Sequence, residues 1–280
     1  MNWQTIGFNK TKKFFENNLV NGQLSHAYIF SGQDEIGKKT LALDLANSVT
    51  NSTYDILILG PENSESGRSI SINEIKKLKS FMSLSPYGSD HKVAIIDDAH
   101  LMTAEAQNAT LKTLEEPSHS SLLILVTSAP TSLLETIYSR CQEIRFLPHP
   151  KKEIGVVLES SGLNKSQKEF LSEFANGRIG LVKKVDNKKG FEEIKESVEE
   201  LMRLMKMGLN ERLISAQKLS DDKKTPDLER KVLYWLLYVH MRLSEPKAVK
   251  ILKNLLHLQN IIAQPQFNKR LALENFVITL

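Results

Sequence analysis

Ala27-Tyr28-Ile29-Phe30-Ser31-Gly32-Gln33-Asp34-Glu35-Ile36-Gly37-Lys38-Lys39-Thr40 runs from a short apolar stretch, through a glycine-bounded loop, into helix-forming residues. The apolar run reads as a buried strand that meets a turn at Ser31-Gly32. A helix is predicted from Gly37 to about Val49, with Leu41, Leu45 and Ala46 on one side. Strand, glycine loop and helix in that order are the context a phosphate-binding loop requires. Glycines let backbone N–H groups wrap a phosphate, the helix N-terminus adds its dipole, and Lys38 would reach the terminal phosphates. The pattern demands Ser or Thr after the lysine, because that hydroxyl ligates Mg²⁺. Lys39 stands there instead, and Thr40 comes one residue late, rotated by about 100° around the helix. The expectation is a loop that keeps the shape of a phosphate cradle with weak or absent affinity for nucleotide.

Working outward, residues 5–20 have helical spacing and stop at Asn21-Gly22. Tyr54–Leu59 reads as a second strand, residues 60–69 as loop, and Ser71–Leu84 as a helix opened by the capping pair Ser71 and Glu74. Val93–Ile96 is a third strand closed by Asp97-Asp98. A helix from about Thr103 to Glu115 stops at Pro117, and Leu122–Thr127 is a fourth strand, apolar enough to be covered on both faces. Strands alternating with helices predict a mostly parallel sheet over residues 1–147. Asp97 and Asp98 would then lie at the carboxyl end of the sheet, where such folds bind ligands. Asp97 could hold Mg²⁺ through water. The next position usually polarises the attacking water with a glutamate, and Asp98 is one methylene short of that. Both departures predict weak or absent hydrolysis.

The pattern changes at Leu147-Pro148-His149-Pro150, a predicted boundary. Short helices are expected over 151–184, a charged linker or exposed turn at Lys183–Gly190, and a helical bundle at 191–207, 210–219, 227–243, 246–263 and 268–279. Of the 280 residues 41% are hydrophobic and 25% charged, which excludes a disordered, collagen-like or coiled-coil chain. A single cysteine, Cys141, excludes a disulfide framework and a multi-thiolate zinc site. With no apolar run long enough for a bilayer and no signal peptide, a cytoplasmic location is expected. Residues 1–150 hold 13 Lys/Arg against 16 Asp/Glu, and residues 151–280 hold 24 against 17. The basic second half fits either contact with nucleic acid or an acidic partner, or Lys-rich helices solvated on their outer faces.

Several stretches resemble the delta-prime branch of the bacterial DNA polymerase III clamp-loader family. They are Gly22-Gln23-Leu24-Ser25-His26-Ala27 before the loop, Lys92-Val93-Ala94-Ile95-Ile96-Asp97-Asp98-Ala99-His100, and Glu105-Ala106-Gln107-Asn108-Ala109-Thr110-Leu111-Lys112-Thr113-Leu114-Glu115-Glu116-Pro117. Leu134-Glu135-Thr136-Ile137-Tyr138-Ser139-Arg140-Cys141-Gln142 and Asn268-Lys269-Arg270-Leu271-Ala272-Leu273-Glu274 extend the likeness over most of the chain. The resemblance implies an α/β plus all-α protein. Residues 1–148 would form an AAA+ RecA-like parallel-sheet domain with a degenerate P-loop, 149–188 a small helical lid and 189–280 a helical collar. It implies a place in DNA polymerase III holoenzyme, in a loader with gamma/tau and delta subunits that sets the beta sliding clamp on primed DNA. In that setting delta-prime is a stator and Arg140, after a short helix at Ser132–Tyr138, is an arginine finger given to ATP on a neighbouring gamma/tau subunit. Thr127 or Ser128 falls at sensor 1. The arginine of sensor 2 falls on Gly180, with Arg178 two residues earlier. No cofactor is required on this reading, bound ATP and Mg²⁺ would be weak or absent, and zinc is not expected because residues 41–69 hold no cysteine. The absence of a long extension disfavours the tau form. The alternatives are an ATPase-active gamma-like motor, or a subunit that binds ATP without turning it over.

Overall fold

The structure, a computed structural model, describes residues 2–64, 67–118, 120–185, 187–221, 228–262 and 267–280. The chain divides into two compact units: Met1–Glu153 with Gly177–Gly180, and Ile154–Asn176 with Leu181–Leu280. The first contains α1 (Asn9–Val20), β1 (Ala27–Ser31), α2 (Lys38–Val49), β2 (Ile56–Leu59), β3 (Glu62–Ser64), β4 (Gly67–Ser69), α3 (Ile72–Met82) and β5 (Lys92–Ile96). It continues with α4 (Ala104–Glu115), β6 (Ser121–Thr127), α5 (Glu135–Tyr138) and β7 (Gln142–Arg145).

The main sheet has the order β2-β5-β6-β1-β7, and every neighbouring pair is parallel. From β1 the chain leaves for the edge at β2, works back through β5 and β6, then crosses to β7 on the other side of β1. The carboxyl ends of β1, β5 and β6 therefore meet where the winding reverses, which is where open α/β sheets bind ligands. Alternate residues of the strands feed two cores. Ala27, Ile29, Ala94, Ile96, Leu123 and Leu125 pack on one face with Ile75 and Leu78 of α3. Tyr28, Phe30, Val93, Ile95, Ile124 and Val126 pack on the other with Phe15 of α1 and Leu41 and Leu45 of α2. Covering both faces is why the central strands read as unbroken apolar runs.

All four expected strands are present, and four details differ. A fifth strand, β7, was not expected: it lies at the sheet edge, and only Ile144 of its four residues is apolar. The expected loop at 60–69 contains the antiparallel pair β3–β4, each strand three residues long and mostly polar. Helix α1 starts at Asn9 rather than residue 5, because Gly7 and Phe8 take left-handed backbone angles (φ 71° and 53°) that a helix cannot continue through. The 132–138 stretch is a 3₁₀ turn at Pro130–Ser132 followed by α5. The capping pair is present as read: Glu74 Oε2 accepts from the Ser71 N–H at 2.7 Å, and Ser71 Oγ accepts from the Asn73 N–H at 3.3 Å.

The helices that follow are α6 (Lys151–Glu159), α7 (Lys165–Phe174), α8 (Ile179–Lys184), α9 (Lys188–Lys206), α10 (Leu209–Asp221), α11 (Leu228–Met241), α12 (Ala248–Ile262) and α13 (Lys269–Thr279). The stretch read as a linker, Lys183–Gly190, instead closes α8 and opens α9, whose cap is Asn187 Oδ1 accepting from the Gly190 N–H at 2.9 Å. Residue 186 lies outside the described residues, as do residues 227 and 263, the expected ends of two bundle helices. In the second unit Phe170 of α7 meets Phe191 of α9 at 5.9 Å, and Phe174 meets Tyr234 of α11 at 6.0 Å. Helices on either side of residue 188 thus share aromatic packing. Among the described residues no helix is long and apolar enough to cross a membrane.

Candidate phosphate site at the strand ends

The loop between β1 and α2 is fixed by its own carbonyl groups. Gly32 has φ +148°, and a Cβ there would lie 2.5 Å from the Phe146 carbonyl oxygen, so only glycine fits. Lys38, buried, donates from Nζ to the carbonyls of Gly32 (2.7 Å) and Gln33 (2.5 Å). Burial lowers the pKa of its ammonium, against the pull of Asp34, Asp98 and Asp97. The N–H of Gly180 donates to the Glu35 carbonyl at 2.5 Å. The buried ring of His149 donates from Nε2 to the Ile36 carbonyl at 2.8 Å, while its Nδ1 lies 2.6 Å from Glu153 Oε2. Four loop carbonyls are therefore tied from three directions. The loop keeps a cradle shape from within the protein.

The expected metal position is occupied by a side chain. Lys39 Nζ lies 2.9 Å from Asp97 Oδ2, on the carboxylate that would hold Mg²⁺. Asp98, in a left-handed backbone conformation (φ 51°), accepts from Arg68 Nη2 of β4 at 3.0 Å. Its carboxyl is pushed above the ordinary range by burial and then by Asp97, against Arg68 and His100. Thr40 is half-buried one position further along α2. Magnesium needs oxygen ligands in octahedral array. Here the hydroxyl is replaced by an ammonium and both carboxylates carry a cation, so these residues do not fit a resident Mg²⁺. They fit phosphate better. Arg178, whose guanidinium pKa is lowered by burial against Asp34 and Glu35, has Nε and Nη1 buried with no hydrogen-bond partner.

Gly180 does more than omit an arginine. A Cβ at this position would sit 2.7 Å from the Glu35 carbonyl oxygen and 3.1 Å from its Cα, so the backbone leaves no room for any side chain. Gly180→Ala should therefore cost the fold about 1–3 kcal/mol by forcing the loop away. Urea unfolding measures this, and a loss within about 0.5 kcal/mol, the range of a neutral surface change, would show that the approach is not tight.

Of the two sensor 1 candidates, Thr127 is fully buried. Its carbonyl accepts from the Gly32 N–H at 3.3 Å, and its Oγ1 accepts from the Ala129 N–H at 3.1 Å. Ser128 beside it is half-buried. Gly32, Gly37, Lys38, Lys39, Asp97, Asp98 and Thr127 thus converge on the strand ends. Arg140 makes its contacts elsewhere: Nη1 donates to the Thr136 carbonyl (2.9 Å) and Ser139 Oγ (3.1 Å), and Nη2 pairs with Glu115 at 2.8 Å. It is about one-third exposed, 35% for the side chain. Cys141 next to it is inert, its thiol pushed up to about 12 by burial. Sequence reading missed Arg68, which sat in a presumed loop, and His149, which was read only as part of a proline-flanked boundary. Among the described residues no group of three or more His, Cys, Asp or Glu could hold a metal ion.

Residues 50–150 match the sequence-family model described as DNA polymerase III, delta subunit. Over 165 residues the chain is 33% identical to DNA polymerase III subunit delta' of Bacillus subtilis (strain 168), a match covering 52% of this chain and 49% of that protein. Against subunit tau of the same organism the identity is 32% over 161 residues, covering 50% and 28%. A replication factor C small subunit from Methanococcus vannielii is 31% identical over 146 residues, covering 52% and 45%. The matches span about half or less of the length of these curated relatives. Among solved structures, a DNA polymerase III gamma subunit-related protein from Thermotoga maritima matches with a TM-score of 0.56 at 20% identity, over 96% of each chain, a likeness of fold. About half of the chain is thus similar to delta', tau and replication factor C small subunits, the family model matches residues 50–150, and the likeness to the gamma subunit-related structure is one of fold.

Proposed function

We propose that the chain is a delta-prime-type stator of the clamp loader. It assembles with gamma/tau and delta subunits, reaches the sliding clamp and primed DNA through that complex, has little or no ATP turnover of its own, and presents Arg140 to ATP on a neighbouring gamma/tau subunit. The observation that carries this reading is the Lys39–Asp97 ion pair at 2.9 Å, an ammonium on the carboxylate that a hydrolytic site would use for Mg²⁺. Two further features support it. Asp98 is engaged by Arg68, so it is not free to polarise a water, and Gly180 has no room for a sensor arginine. The identities to delta' and tau are almost equal, so the choice between them rests on this site chemistry.

The purified chain given ATP and Mg²⁺ is expected to turn over at background rate, with Lys38→Ala no different. Steady turnover that Lys38→Ala abolishes would instead establish a gamma-like motor. A narrower second reading, nucleotide held without turnover, is favoured by the two unpartnered guanidinium nitrogens of Arg178.

A further inference from the structure

We infer that Lys39 is the resident counter-cation of this site, and that the loop takes a nucleoside polyphosphate without a divalent metal. The inference deepens the stator reading and rests on it only in taking the site as non-hydrolytic.

Polyphosphate needs donors and positive charge around it. The protein supplies the loop N–H groups, the start of α2, Lys38 and Arg178. Arg178 lies two residues before Gly180, whose N–H is bonded to the loop at Glu35. Its Nε and Nη1 are buried without a hydrogen-bond partner, and Gln33 Oε1 in the loop and His100 Nδ1 beyond Asp98 are in the same condition. Buried donors left unpaired are costly, so two on one guanidinium point to an anionic acceptor.

In a hydrolytic site the metal bridges phosphate oxygens and neutralises their charge. An ammonium has three donors and no lone pair, so Lys39 cannot ligate a metal. Placed on Asp97 it both occupies the metal's carboxylate and repels a second cation. The neighbouring carboxylate, Asp98, is held by Arg68 at 3.0 Å, so neither acid at the end of β5 is left for a metal. Lys39 is half-exposed (50% of its side chain), and its flexible stem lets the same ammonium reach a phosphate oxygen while staying near Asp97. One fixed charge then does the neutralising that a divalent ion does elsewhere. Specificity follows: the site selects metal-free polyphosphate, and residue 39 sets that choice.

The test is titration of the full chain with fluorescently labelled ADP, once in magnesium and once in EDTA, for the wild type and Lys39→Thr. The wild type is expected to bind with affinities agreeing within about twofold, whereas Lys39→Thr should bind about tenfold or more tighter in magnesium than in EDTA. A second readout replaces magnesium with Mn²⁺ and follows its electron paramagnetic resonance in the presence of ADP. Protein-bound Mn²⁺ is expected with Lys39→Thr and not with the wild type. Because the pair is on the surface its loss leaves the fold intact, which circular dichroism verifies. The inference is overturned by wild-type binding that strengthens with magnesium, by no wild-type binding in either condition, or by a Lys39→Thr variant that behaves like the wild type. Magnesium-strengthened binding without turnover sinks the role of Lys39 and leaves the stator reading standing. Turnover by the isolated chain sinks the stator reading itself.

Discussion

Arg140→Ala, assembled into a loader reconstituted from subunits of the same organism, is expected to lower DNA- and clamp-stimulated ATP turnover at the neighbouring site by about 10³-fold or more. An arginine finger stabilises charge that develops on the transferring phosphoryl group, so its loss falls on the rate at the site served. Arg140 pairs with Glu115 at 2.8 Å and donates to the Thr136 carbonyl at 2.9 Å, just after a helix of four residues. That clasp is at the surface, and breaking it costs folding only about 0–1 kcal/mol, so the variant still folds and assembles. Arg140→Lys keeps the charge and loses the planar fork, and it should recover little of the rate. Gel filtration confirms assembly before the rate is read. Unchanged turnover in an intact complex would make the subunit architectural and remove Arg140 from the site.

What the sequence made legible follows from where each element lies. Strands β1, β5 and β6 are buried on both faces, so their apolar runs announce them. Strand β7 pairs on one side only and exposes Gln142 and Arg145, so its residues look like loop. The turn between β1 and α2 was readable from Gly32 and Gly37 ahead of Lys38, because both take positive φ (148° and 101°), where glycine is favoured. Lys39 was readable as a missing hydroxyl, but not as a cation bound to Asp97. That contact exists only because β1 and β5 flank β6 in the sheet. The same holds for Arg68 and His149, which reach Asp98 and Ile36 from 30 and 113 residues away in the chain. Gly180 was legible as an absent arginine. Its approach to Glu35, which excludes every side chain, depends on tertiary placement that no local pattern encodes. The loop's shape was thus local information, while its chemistry was set by charges that only the folded sheet brings together.

Trp235→Ala is expected to destabilise the helical unit by about 3–5 kcal/mol, the usual cost of emptying a buried indole. The ring is fully buried on α11. Its Nε1 donates to the Ser197 carbonyl of α9 at 2.8 Å, and its face lies 6.0 Å from the ring of Phe276 on α13 at an interplanar angle of 22°. One side chain therefore joins three helices, and no neighbour can fill the space it leaves without moving a helix. Trp235→Phe separates the two contributions. It keeps an aromatic partner for Phe276 and gives up the N–H bond, for a loss of about 1–2 kcal/mol. Thermal melting followed by far-ultraviolet circular dichroism reads both, because this unit is built of helices. At about 2–8 °C per kcal/mol, the alanine variant should melt roughly 10 °C or more below the wild type, and the phenylalanine variant between them. Near-equal melting of wild type and alanine variant would mean that the three helices do not depend on this contact.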